Sequence, residues 1–481
     1  MLKDQKKLPG SSYLTAIPTC LLHVCVGLPV LVGVLFPIAV VCTVVNKGLN
    51  LFTPPNPDTT LPLGEPKDKK PKLTSKDPRE FQLIVFGATG FTGKLAAMYL
   101  AKTYGTKFKW AIAGRSQAKL EAVRKDLGAH MKDLPIVIAD SGDVNALNAL
   151  VRRTAVVITT AGPFVLYGSE LLRQCAENGT HYCDITGELD WVRIMIDKYD
   201  DVARASGAKI VPLCGHDANP WDLSVLRLAK EFDCRGDMLT EVNCYDEINA
   251  SASGGTMKTV FTALSNRRRY KAMLGFDPLL KSNAISGKAS ENLVKPDVQF
   301  TTTYSTEHNS WVGFFVMSMV MANTVRRSNA LLGYSKRLVY SEAVVYPNVF
   351  TAITTTLQML MLGAVIAAPP LTWLFLQLGL IPSPGEGPSA SDMDKGFLNV
   401  TAYGYGREGK AGKVIRSTFY FPTDPGYRDT ARMLVESGLL LALEPEKASK
   451  TGGILTPAAA LGLPLIDRLC ATGSSMEVHA D

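Results

Sequence analysis

Between Phe86 and Lys94 the chain reads Gly87-Ala88-Thr89-Gly90-Phe91-Thr92-Gly93, three glycines at a spacing that suits the pyrophosphate of a dinucleotide. The first permits a tight turn, the second lets phosphate approach the backbone, and the third lets the next helix pack closely on its strand. Amides that open such a helix lack carbonyl partners and attract anions. A second chemical marker is Arg115-Ser116. An NAD site usually sets Asp or Glu against the ribose 2′-hydroxyl at this place, whereas a guanidinium and a hydroxyl suit a 2′-phosphate, so NADP is expected ahead of NAD. Asp140 ends the third apolar run, near the expected adenine edge, and Ala161-Gly162 ends the fourth, near the expected nicotinamide ribose.

Proton transfer needs a titratable group near those strand ends, and Tyr167, Tyr182, Asp184, Glu188 and His216 stand there. Each also has a plain structural reading. Ser253-Gly254-Gly255-Thr256, before an apolar stretch, offers amides to an acidic ligand group or is an ordinary helix cap. Other chemistries are excluded by pattern: Tyr167 is followed by Leu171 where short-chain dehydrogenases place lysine, and there is no HExxH, GxSxG or P-loop. The nine cysteines are scattered without zinc spacing, so no metal is expected and reduced thiols facing the cytosol are. A net charge of +7 is spread along the chain, which argues against nucleic acid.

The elements that must position these residues follow from hydropathy. From Phe81, short apolar runs (FQLIVFGA, WAIAGR, PIVIAD, AVVITTAG) alternate with helical periods through Tyr104, from Gln117 and from Val144. Such alternation predicts a Rossmann domain over 81–215, a doubly wound parallel sheet, with Thr180–Asp184 and AKIVPLCG as further strands. A second α+β domain is expected over 216–345, completed by 386–481, with strands at Thr240–Asn249, Gln299–Tyr304, Leu338–Val345 and Phe397–Phe421.

Two uncharged stretches stand apart. After a polar 1–16, residues 17–45 carry no charge beyond a protonated His23, long enough for a membrane anchor, with Pro29 and Pro37 favouring a hairpin as much as a span. A cleaved signal peptide is disfavoured by the length and by the lack of an Ala-x-Ala exit. The Pro/Lys-rich 46–80 reads as an extended tether that cannot bury a core. Residues 346–385 hold no charge until Glu386 and read as an interfacial, membrane-associating segment or lid, with a buried core helix as the alternative. The expected setting is an endomembrane or lipid-droplet surface with the catalytic domain in the cytosol. The expected partners are a lipid-like small molecule and that surface, and a homodimer is left open.

From Phe81 onward the chain resembles the saccharopine dehydrogenase-like oxidoreductases. The stretches that carry the likeness are VFGATGFTGK, WAIAGRS, TTAGPFVLYGSELLRQCAENGTHYCDITGE, SGGT at 253–256, VRRSNALLGYSKRLVYSE, DPGYRDTARMLVESGLLLAL and GGILTPAAALG. The later blocks look most like bacterial trans-acting enoyl reductases. The resemblance implies a nicotinamide cofactor and a role in lipid or glycolipid metabolism. One departure is Gly215-His216-Asp217-Ala218-Asn219-Pro220, where relatives usually read Gly-Phe-Asp-Ser-x-Pro. The first reading is an NADP(H)-dependent oxidoreductase acting on an enoyl or keto group of a lipid-linked substrate. A non-catalytic membrane or lipid-droplet scaffold and a saccharopine dehydrogenase of lysine metabolism are the alternatives.

Overall fold

A computed structural model describes residues 64–66, 71–250, 297–298, 301–315, 317–367 and 387–480. The 17–45 stretch, the 253–256 motif and residues 368–385 of the second uncharged segment lie outside the described residues.

In chain order the first part runs β1 (Phe81–Phe86), α1 (Phe91–Thr103), β2 (Trp110–Gly114), α2 (Gln117–Asp126), β3 (Ile136–Ile138), α3 (Val144–Val151), β4 (Thr154–Thr159), α4 (Phe164–Tyr167), α5 (Ser169–Glu177), β5 (His181–Asp184), α6 (Leu189–Ser206) and β6 (Lys209–Val211). Then come α7 (Asn219–Cys234), β7 (Glu241–Asn249), β8 (Asp297–Val298), β9 (Thr303–Ser305), β10 (Ser310–Gly313), α8 (Ser318–Leu332), β11 (Val339–Tyr346), α9 (Val349–Ala367) and α10 (Ala390–Lys395). The chain closes with β12 (Phe397–Tyr405), β13 (Val414–Phe421), α11 (Arg428–Leu443), β14 (Gly453–Ile454), α12 (Pro457–Ala471) and β15 (Ser475–Ala480).

The first sheet has the order β14-β6-β5-β4-β1-β2-β3 and is parallel throughout. Strand order reverses between β1 and β4, which opens the crevice where such sheets bind ligands. Helices cover both faces, so the strands are apolar runs rather than alternating ones; Leu83, Ile84 and Val85 are all fully buried. The second sheet is mixed, in the order β15-β13-β12-β7-β11-β10-β9 with β8 on β11. Its inner face, Val242, Cys244 and Asp246 among others, packs on α7 and α8, and those helices tie the two sheets together.

Several expectations are corrected. The part assigned wholly to the second domain, 386–481, divides: β12, β13 and β15 join the second sheet, whereas α11, β14 and α12 complete the first domain. Helix α11 lies directly on β1 and β4, because Gly438 has no side chain; a Cβ there would come within 2.4 Å of Ile158. The expected single strand 397–421 is a hairpin, and β9 begins only at Thr303. The tether is not free along its whole length. Ser75 N–H donates to the Ser206 carbonyl at 3.1 Å and Arg152 donates to the Pro71 carbonyl at 2.9 Å. Helix α9 buries Ala352 against Val344 and Tyr346 while exposing Ile353 and Met359, so it is neither wholly core nor wholly surface. Among the described residues no helix is long and apolar enough to cross a membrane.

Candidate active site

The glycine turn leaves β1 and enters α1. Gly87 takes φ +81, a left-handed value that favours glycine, and donates its N–H to Ala113 of β2 at 2.9 Å. Gly90 caps α1 with no side-chain bond, and no acidic residue stands in the first turn. Gly93 sits against the turn itself: a Cβ there would come within 2.3 Å of the Gly87 carbonyl oxygen and 2.7 Å of Thr160 Oγ1. The helix start is therefore pulled onto the strand exit with its amides uncapped, a cradle of the shape a pyrophosphate requires. Thr89 is exposed, Thr92 half-buried, and Phe91 packs edge-on against Tyr427 with ring centroids 5.4 Å apart.

Arg115 leaves β2 exposed, with no hydrogen bond or ion pair among the described residues. Ser116 occupies the N-cap position of α2 but makes no side-chain cap bond. Both side chains are thus uncommitted beside the cradle, and they fit the 2′-phosphate of NADP. Asp140 lies past β3 and accepts from Gly142 N–H at 2.8 Å. Ala161 closes the rim at β4, where its Cβ would lie 3.2 Å from one built on Gly87. Gly162 beside it is exposed.

The proton-transfer candidates divide by burial. Tyr182 and Asp184 are fully enclosed, and the Tyr182 hydroxyl donates to Asp184 Oδ2 at 2.8 Å. Asp184 Oδ1 also accepts from Thr186 and Leu213 N–H at 3.0 and 3.1 Å. Burial pushes the Asp184 carboxyl up to about 7, against those bonds, which act to lower it. These two residues hold the turns after β5 and β6, and Leu213 keeps the strained φ +67 beside them. Glu188 caps α4, accepting from Phe164 N–H at 2.6 Å and Val165 N–H at 3.0 Å, and so links the exits of β4 and β5. Tyr167 is 39% exposed at the end of α4.

His216 is the candidate that meets the second domain. Its ring lies edge-on to Trp221 and Phe315, with centroids 5.1 and 6.3 Å away. Neighbouring Asp217 and Met317 both approach Gly187, where a Cβ would lie 2.9 Å from the Asp217 carboxylate and 3.2 Å from the Met317 methyl. From the glycine turn at β1 to this point is three strand spacings, roughly 14 Å.

Reading the sequence alone missed Asp217, Trp221, Phe315, Met317 and the acid pair below them. Trp221 donates its indole N–H to Asp246 Oδ1 at 2.9 Å, and Asp246 lies beside Glu342, which accepts from the Tyr340 hydroxyl at 2.8 Å. Burial raises Asp246 to about 8 and Glu342 well above its ordinary range, so the pair retains a proton. The signal was in the register: Asp246 shares the inward parity of Val242 and Cys244, where a carboxylate needs a partner.

Residues 83–211 match the saccharopine dehydrogenase NADP-binding domain. A Mycobacterium tuberculosis protein whose name carries the words trans-acting enoyl reductase is 37% identical over 416 residues, covering 83% of this chain and 98% of the relative. The chain belongs to the saccharopine dehydrogenase-like oxidoreductase family. A trans-acting enoyl reductase of Mycobacterium ulcerans is 35% identical over 417 residues, 82% of this chain and 97% of that one. Among solved structures, apo saccharopine dehydrogenase (L-Glu forming) from Saccharomyces cerevisiae is similar with TM-score 0.47 and 10% identity, over 83% of this chain and 99% of that chain. Like the family, this chain is an oxidoreductase with an NADP-binding domain.

Proposed function

We propose that the protein is an NADP(H)-dependent reductase acting on an enoyl or keto group of a lipid-linked substrate. The observation that carries the reading is the wall facing the strand exits. Phe315 and Met317 leave β10 toward His216 and Gly187, and Phe315 continues into Ile248, Trp311, Val344, Tyr346 and Ala352. Apolar side chains of this kind bind an acyl chain and have nothing to offer a small, highly charged amino-acid adduct.

The residues that would hold the cofactor are Gly87, Thr89, Gly90, Phe91, Thr92 and Gly93 at the pyrophosphate, Arg115 and Ser116 at the 2′-phosphate, Asp140 toward adenine, and Ala161 and Gly162 toward the nicotinamide. When bound, the reduced nicotinamide supplies a hydride and its two electrons. The chain orients the acceptor double bond at the exits of β4 to β6 and keeps water from it with the Phe315–Tyr346 wall. The relatives' name, trans-acting enoyl reductase, supports the enoyl group as the acceptor and NADP over NAD accords with the uncommitted Arg115. Placement at an endomembrane or lipid droplet is part of the same proposal. Its support is the uncharged sequence at 17–45 and 346–385 and the exposed Ile353 and Met359 of α9.

The test is NADPH oxidation by the full chain with trans-2-hexadecenoyl-CoA, a long-chain 3-ketoacyl-CoA, and saccharopine with NADP+. Turnover with either thioester and none with saccharopine upholds the reading. Turnover with saccharopine alone, or NADPH binding with lipid binding and no turnover, replaces it with the lysine-pathway or the scaffold reading.

A further inference from the structure

One buried polar atom at the meeting point of the two domains has no partner among the described residues. His216 is 8% exposed, and its Nε2 makes no hydrogen bond among the described residues. Leaving a buried donor or acceptor unpaired is costly, so the arrangement makes sense where a ligand completes it. The rest of the residue is fixed. Its backbone N–H donates to Thr430 Oγ1 of α11 at 2.9 Å, and its ring is held edge-on by Trp221, itself anchored on Asp246. Phe315, only half-buried, is the less enclosed side of that aromatic wall.

The second ring nitrogen has a neighbour. Nδ1 faces Asp217 Oδ1 at 3.6 Å, and the Asp217 side chain is 31% exposed, so it reaches solvent. A carboxylate on that side faces Nδ1 and so orients the ring with Nδ1 toward Asp217. Nε2 is then the position that gives up and takes back a proton.

We propose that His216, oriented by Asp217, delivers the proton in the reduction, an inference that rests on the reductase reading above. For an enoyl group the carbon–carbon π bond breaks, Cβ receives the hydride and its two electrons from the reduced nicotinamide, and Cα receives the Nε2 proton. NADP+ is released. The imidazole is left neutral with its remaining proton on Nδ1 toward Asp217, and regains the second proton from water. For a keto group the same proton goes to the oxygen. Asp217, Trp221 and Phe315 are positioning residues in this scheme.

The test uses the full chain as wild type, His216→Phe, His216→Gln and Asp217→Asn. All four should bind NADPH within about twofold of one another, because His216 lies away from the phosphate cradle. Single-turnover NADPH oxidation with trans-2-hexadecenoyl-CoA should fall ~100- to 10,000-fold in both His216 variants, the range a positioned proton donor supplies. Asp217→Asn should lower kcat at unchanged KM. Carbon-13 labelling of histidine gives a readout independent of turnover: the resonance absent from His216→Phe should shift when hexadecanoyl-CoA joins the NADP+ complex. Turnover within about threefold of wild type in His216→Phe would overturn the proposal, since phenylalanine packs there without a proton. An unmoved histidine resonance overturns it as well. If wild type binds NADPH but never oxidises it with the thioester, the reductase reading itself fails and takes this step with it, an outcome distinct from turnover that survives in His216→Phe.

Discussion

At the scale of single residues, two positions turn a small chemical change into a large effect. Gly93→Ala would drive a methyl group into the Gly87 carbonyl, 2.3 Å from where it must sit, and backbone cannot step aside as a side chain can. The expected outcome is destabilisation of about 1–3 kcal/mol by overpacking together with loss of NADPH binding, read by urea unfolding and by nicotinamide fluorescence. Asp246 is the second. Its carboxyl goes from an ordinary 3.8 to about 8 on burial, so its protonated form favours the folded state. That contribution is full below pH 4 and is lost as pH rises through about 8, with each proton released worth about 1.4 kcal/mol per pH unit. Asp184 and Asp222, both near 7, act in the same direction. Asp246→Asn should therefore flatten the fall in stability between pH 6.5 and 8.5 without abolishing it; an unchanged slope would mean that Asp246 is already ionised in the fold.

At the scale of elements, α11 lies directly on the first sheet. Gly438→Val should lower the melting temperature by several degrees, because the added atoms meet Ile158 and Leu83 in a packed core, an overpacking cost of about 1–3 kcal/mol. Most of the first sheet was legible in sequence, since FQLIVF, WAIAG and TAVVIT are apolar runs bounded by glycine or turns. The strand β14 was not. Two residues, Gly453 and Ile454, carry no periodicity, and their pairing with Lys209 and Ile210 is fixed by contacts some 240 positions distant in the chain. The site divides in the same way. The phosphate end is a local motif and can be read from consecutive residues. The proposed substrate end joins β5, β6, β10 and α7, and nothing in the local pattern around Phe315 or Met317 says that they face Gly187 and His216.

At the scale of the whole molecule, the tether and the site lie at opposite edges of one sheet. Residues 71–80 dock where β4, β5 and β6 begin, with Arg79 donating to the Asn178 carbonyl at 2.7 Å and to the Arg152 carbonyl at 3.2 Å. Gly179, at φ +66, makes room for them: a Cβ would lie 2.3 Å from Ser75 N. Gly179→Ala should release this strap and lower thermal stability by more than about 1 kcal/mol, as alanine does at positive φ, while NADPH affinity at the far edge stays unchanged. Loss of affinity in that variant would mean that the two edges are coupled. The central claim concerns that far edge, where the cradle and Arg115 meet. Its most direct test is a titration of the full chain with NADPH and NADH, followed by nicotinamide fluorescence, in wild type and in Arg115→Asp. Wild type should bind NADPH at least tenfold more tightly than NADH, and the variant should lose that preference, as removal of a charge-assisted bond worth about 1.5–3 kcal/mol requires. Binding of neither nucleotide, or a preference for NADPH that survives in the variant, would contradict the assignment.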